Sequence, residues 1–198
     1  MSTISKGNNF ENKVFHYFQE ELQSENLFVP SKTSKIFKKK HYFSKDREGF
    51  ITTDISIETF IPNSTQYSLL TIIECKDYAQ SIPVDDIEEF HAKVQQVAGN
   101  NVKAIFTTSA ALQRSAIAFA RSKKIAVVRF LPDILVEWVF YNMTNDILSD
   151  KPQLDSNEFN SAFLNQRHRS RNRDFYAFDD KLLYGSLSCL LKNIFNLV

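Results

Sequence analysis

Apolar positions alternate with polar ones along much of the first two-thirds of the chain, and the period changes from stretch to stretch. Phe10, Val14, Phe15, Phe18 and Leu22 fall within one arc at about 100° per residue, which predicts a helix over 10–22. Residues 35–43 and 50–60 alternate with period two and predict strands. In the second of these, Ile51, Ile55 and Ile57 share one face, and Thr52, Asp54, Ser56 and Glu58 share the other. Leu69, Leu70, Thr71, Ile72 and Ile73 form a continuous run that predicts a buried strand over 69–76. Three strands in succession with short loops imply an antiparallel meander. Pro83 opens a helix whose early turns carry Asp85, Asp86, Glu88 and Glu89, with Ile87, Phe90, Val94 and Val97 as its buried stripe. A strand over 102–107, a helix over 110–122 capped by Ser109, and an interior parallel strand over 125–130 follow. The order is helix, three strands, helix, strand, helix, strand, an α/β sandwich with a mixed sheet.

The buried strand 69–76 ends in Glu74-Cys75-Lys76, with both charges on one face. Burying an unpaired charge costs several kcal/mol, so these two must pair or work. If strands 50–60 and 69–76 form a hairpin through the polar loop 62–66, Asp54 approaches Glu74. Two converging carboxylates repel unless a positive group lies between them. A divalent cation with oxygen ligands, Mg2+, is the natural candidate, and Lys76 stands beside it. Glu11 falls inside the apolar arc of the first helix, where a carboxylate needs a partner; it is read as a supporting acid near the metal. Glu58 shares a face with Asp54 and is an alternative ligand, and Gln95 is a candidate polar neighbour.

Asp54 followed after a loop by Glu74-Cys75-Lys76 resembles the PD-(D/E)xK nuclease signature. The wider pattern over about residues 5–130 is similar to the Mrr-like restriction endonucleases: residues 7–11 opening a helix, Thr107-Thr108-Ser109 before an alanine-rich helix, then 116–120 and 125–129. Thr53 stands where the signature has Pro. The resemblance implies an α/β fold, a restriction-endonuclease-like mixed β-sheet flanked by helices, here with a C-terminal helical extension. It also implies a catalytic set of Asp54, Glu74, Lys76 and Glu11, with Asp54, Glu74 and the Cys75 carbonyl as Mg2+ ligands. Hydrolysis of an anionic phosphodiester needs charge neutralisation, an activated water and a stabilised leaving oxygen, which a carboxylate-held metal supplies. Lys76 then orients the water or stabilises the pentacovalent charge.

Composition changes this picture little. The formal charge is +1, so overall charge does not speak for nucleic acid, but local charge does. Seven Lys or Arg stand against one Asp between Lys32 and Arg47. Lys38, Lys39 and Lys40, with Arg167, Arg169, Arg171 and Arg173, are the candidate phosphate contacts to double-stranded DNA. The four His are scattered without zinc spacing or a catalytic dyad, and the four Gly form no phosphate loop. Two cysteines, Cys75 and Cys189, make no disulfide framework. The start lacks a signal-peptide apolar core, and the apolar run 125–141 is interrupted by charges and Pro132, so no membrane span is expected and the location is expected to be cytoplasmic.

The domain reading is a nuclease-like domain over 1–143, a polar linker over 144–176 and a C-terminal helix over 177–198. Residues 132–142, with Trp138, are read as a helix closing the first domain. Leu183, Leu187, Leu190, Ile194 and Leu197 make a stripe on the last helix. That stripe must be covered, either by docking on the 132–142 helix or by a second copy in a homodimer. The function expected is metal-dependent DNA endonuclease activity in restriction or defence against foreign or modified DNA. The alternatives are an inactive DNA-binding or assembly module with the same fold, and a nuclease for branched or repair DNA.

Overall fold

The structure, a computed structural model, describes residues 3–24, 31–98, 101–131, 156–170, 175–180, 182–184 and positions 187, 190, 191 and 194. Helix α1 (Thr3–Gln23) precedes strands β1 (Ser34–Lys38), β2 (His41–Ser44), β3 (Gly49–Thr52), β4 (Ile55–Phe60) and β5 (Tyr67–Lys76). Then come α2 (Val84–Ala98), β6 (Val102–Thr108), α3 (Arg114–Ser122), β7 (Ala126–Phe130), α4 (Ser156–Leu164), β8 (Phe175–Asp179) and β9 (Leu182–Tyr184). Among the described residues the main sheet has the order β1-β4-β5-β6-β7-β8-β9, with β5, β6 and β7 parallel and the flanking pairs antiparallel. Parallel neighbours require crossovers, and α2 and α3 supply them. The mixed sheet flanked by helices is the α/β restriction-endonuclease-like fold expected from the sequence.

Alternation along the central strands divides the core. Leu70, Ile72, Phe106 and Val127 face α2 and α3 through Ile87, Phe90, Val94 and Ala116. Ile55, Ile57, Ile73, Ile105 and Val128 face α1 through Phe10, Val14, Phe18 and Leu22. The amphipathic stripes read from the sequence are therefore the faces that pack on the sheet.

Several expectations are corrected. The strands expected over 35–43 and 50–60 are each broken, so the meander becomes β1-β4-β5 plus a separate β2–β3 hairpin. The break lies at Lys39, whose φ of 52° is left-handed. There the ladder is held by Lys39 N–H to the Asp54 carbonyl at 2.8 Å and Thr53 N–H to the Lys40 carbonyl at 3.0 Å. α3 begins at Arg114, with Gln113 in the cap position, and not at Ala110 behind Ser109. Residues 111–113 are instead pinned to Ile82, which donates to the Ala111 carbonyl at 2.8 Å and accepts from the Gln113 N–H at 2.9 Å.

The stretch expected to be a polar linker, 144–176, carries α4 and the start of β8 in its described part, and β8 pairs with β7. The physical reason is Arg129. Fully buried on β7, it donates to the carbonyls of Ala162 at 2.5 Å, Asn165 at 2.9 Å and Gln166 at 3.3 Å, satisfying the C-terminal end of α4. The stretch 177–198 begins with strands, and Leu183 lies in β9. Leu187, Leu190 and Ile194 are helical and buried in the α1-side core. That part of the stripe is covered within the chain. The helix expected over 132–142, Cys189 and Leu197 lie outside the described residues.

Candidate active site

The site forms where the β4–β5 pair meets the end of β5. Their register sets Ile55 opposite Ile73, so Asp54, one residue before β4, comes alongside Glu74. The broken hairpin turns Asp54 out of the ladder, and its Oδ2 accepts the Cys75 backbone N–H at 2.9 Å. Glu74 is buried, at 6% exposure. Burial first, and the charge of Asp54 second, push its pKa up, while Lys93 and Lys76 oppose the shift. The charge of Asp54 is thus felt at Glu74, and two carboxylates so placed can share a cation.

Glu11 enters from the other side of the sheet on α1. It is also buried, and its Oε1 lies 2.7 Å from Lys39 Nζ. Lys39 Nζ donates to Asp54 Oδ1 at the same distance, 2.7 Å. Burial disfavours the Lys39 charge, but Asp54 and Glu11 outweigh it and raise its pKa. Lys76 Nζ stands 3.9 Å from Glu74 Oε1 and 3.7 Å from Asp86 Oδ1. Burial works against its charge too, and Glu74, Tyr78, Asp86 and Glu89 together raise its pKa. The acids around Lys76 thus favour its charged form in the metal-free protein.

Glu58, the alternative ligand, pairs opposite Leu70, well along β4 from Glu74. Lys40 Nζ at 2.6 Å and Tyr42 OH at 3.0 Å hold its carboxylate. Gln95 is exposed on α2. Burial pushes the Cys75 thiol well up in pKa, against the hydrogen bond from Thr107 Oγ1 to Sγ at 3.2 Å, and so disfavours the thiolate.

Lys93 on α2 went unread in the sequence. Its Nζ donates to Glu74 Oε2 at 2.7 Å. Asp86, Phe90, Lys93 and Val97 repeat at helical spacing, so an aspartate and a lysine embedded in the apolar stripe of α2 were the available signal. The expected basic strand is not a free face: Lys38 donates to Asn12, Lys39 to Asp54, and Lys40 to Glu58. Arg167 and Arg169 are exposed just after α4. The neighbouring Gln166 side chain accepts the Ala111 N–H at 2.8 Å, which sets this segment against the β6–α3 loop at the same end of the sheet as Lys76. Arg171 and Arg173 lie outside the described residues.

Among the described residues, no three His, Cys, Asp or Glu side chains converge into a ready-made metal cage. The donor chemistry nevertheless fits a hard divalent cation: Asp54 and Glu74 offer carboxylate oxygens, and they repel one another. Lys39 already sits on the Asp54 oxygen that such an ion would need.

Residues 33–135 match the restriction endonuclease family model for the Mrr catalytic domain. Among curated proteins, none matches the chain. Among solved structures, it is similar to the crystal structure of a protein of unknown function, AF1548, at 12% identity and a TM-score of 0.39, over 73% of this chain and 75% of that one. Among the described residues no helix is long and apolar enough to cross a membrane.

Proposed function

The chain belongs to the restriction endonuclease family, and from that premise we propose that it is a Mg2+-dependent endonuclease hydrolysing phosphodiester bonds of double-stranded DNA, acting in the cytoplasm in restriction or defence against foreign or modified DNA. The observation that carries this reading is the meeting of Asp54 and Glu74 across adjacent strands, with the charged Lys76 3.9 Å from Glu74.

Asp54, Glu74 and the Cys75 carbonyl are the groups that would hold the ion, with Glu11 beside them. Bound there, a divalent cation neutralises phosphate charge and acidifies water. The chain's own residues do the rest. Cys75 N–H fixes one Asp54 oxygen and directs the other outward. Lys93 fixes Glu74 Oε2 and leaves Oε1 facing Lys76. Lys76, beside Glu74, sets a positive charge where negative charge grows on the phosphorus in the transition state. Arg167 and Arg169 are the proposed contacts to the DNA backbone, which carry affinity but no sequence information.

The test is cleavage of unmodified plasmid, methylated plasmid and branched DNA, each with and without Mg2+, beside Asp54→Asn as control. Nicking or cutting that needs both Mg2+ and Asp54 supports the reading, and the preferred substrate separates defence from repair. No cleavage of any substrate, or cleavage unchanged in Asp54→Asn, overturns it.

A further inference from the structure

The lysine at the hairpin break occupies a position that the proposed chemistry requires to be vacated. Lys39 Nζ bridges Glu11 Oε1 and Asp54 Oδ1 at 2.7 Å each. Glu11 Oε1 is buried, and among the described residues no hydrogen bond of good angle reaches it, so the ammonium beside it acts there by charge. The other acid of the cluster has its own cation, since Glu74 is held by Lys93. Two carboxylates and one ammonium leave the Glu11–Asp54–Lys39 group one positive charge short of neutrality. A dication in place of the ammonium would complete it.

We propose that Lys39 is a resident counter-ion of the Glu11–Asp54 pair, and that divalent-cation binding displaces its ammonium from those oxygens. The inference rests on the reading above, in which Asp54 is a metal ligand. Three features make the exchange feasible. The Lys39 side chain is 49% exposed, so an ion reaches the carboxylates and the ammonium leaves without unfolding. The backbone there is anchored separately, by Lys39 N–H to the Asp54 carbonyl, so the side chain can swing while the hairpin stays in place. The ammonium is a point charge on a flexible stem, whereas the ion coordinates the oxygens directly. The cost falls on the metal: its apparent affinity is lowered by the fraction of molecules in which Lys39 holds the site.

Calorimetric titration of the full chain with Mg2+ and with Ca2+ tests this in Lys39→Asn. Asn tolerates the left-handed backbone at this position and removes the ammonium. Lys39→Asn should bind the ion about tenfold or more tightly than the wild-type chain, and Asp54→Asn should lose binding. On the wild-type chain, limited lysine acetylation read by mass spectrometry should label Lys39 slowly without Ca2+ and several-fold faster with it, against the exposed Lys45 as reference. This second measurement decides if Lys39→Asn does not fold. Equal affinities, or unchanged Lys39 labelling in a chain that binds the ion, overturn the role of Lys39 and leave the metal site standing. No binding at all, or equal binding by the wild-type chain and Asp54→Asn, overturns the metal site and the displacement together.

Discussion

The backbone N–H of Cys75 donates to Oδ2 of Asp54 at 2.9 Å, so the middle residue of the Glu74-Cys75-Lys76 triplet holds the acid from the preceding strand in place. No side chain at position 75 is needed for this contact. Cys75→Ala should therefore cut DNA within about threefold of the wild-type rate, whereas Asp54→Asn should lose at least about a hundredfold. Plasmid relaxation followed alongside circular dichroism checks both, and equal rates for wild type and Asp54→Asn would remove Asp54 from the chemistry.

Glu74 makes the metal-free protein sensitive to pH. Its folded pKa lies above the usual 4.5 because of burial and the charge of Asp54. A carboxyl raised on folding contributes stability that is present below about 4.5 and is lost as pH rises through the folded value. Glu74→Gln cannot ionise, so its stability should fall less between pH 4.5 and 8 than that of the wild type, and at pH 8 without metal it should be the more stable chain. Urea unfolding across that range measures the slope; parallel curves would contradict the assignment.

Lys93 reaches Glu74 at 2.7 Å, and the proposed reading makes it a positioning residue for that carboxylate. Its charge and hydrogen bond lower the Glu74 pKa, so removing it raises that value further. Lys93→Met should slow cleavage about ten- to a hundredfold and move the acidic limb of the pH–rate profile to higher pH. A purely structural lysine would lower activity at every pH alike, and such a profile would overturn the positioning role.

Arg129 ties α4 to β7. Replacing it by Leu strands the carbonyls of Ala162, Asn165 and Gln166 in the interior. Each buried carbonyl left without its donor costs roughly 1–3 kcal/mol. Burial lowers the Arg129 pKa to about 10, which keeps it charged at neutral pH. Arg129→Leu should lower the urea midpoint strongly, and an unchanged midpoint would show that α4 does not depend on it.

The buried positions near the C-terminus make an opposite claim to self-association. Leu190 is fully buried against the core that includes Val14 and Phe18 on α1. Leu190→Ala should cost about 2–5 kcal/mol of stability and leave the sedimentation coefficient unchanged. A wild-type chain that sediments as a dimer and becomes monomeric in Leu190→Ala would restore the intermolecular reading.

How much was legible in the chain depended on range. The stripe of α1, the stripe of α2 and the apolar run of β5 are local periodicities, and packing follows periodicity because one apolar face must be buried. Glu74 and Lys76 at the end of that run stood out for the same reason: a buried strand does not end in charge without a partner. What periodicity does not encode is decided at long range. The left-handed backbone at Lys39 breaks one expected strand into two and turns three surface-like lysines toward side chains of their own fold. The β4–β5 register, not the shared face of Asp54 and Glu58, selects Asp54 as the neighbour of Glu74. Residues 156–170 are polar in composition yet integral to the fold, because Arg129, distant in sequence, satisfies their carbonyls from inside the sheet. Composition reports what a segment would do in water; only the tertiary structure supplies the partner that lets it leave water.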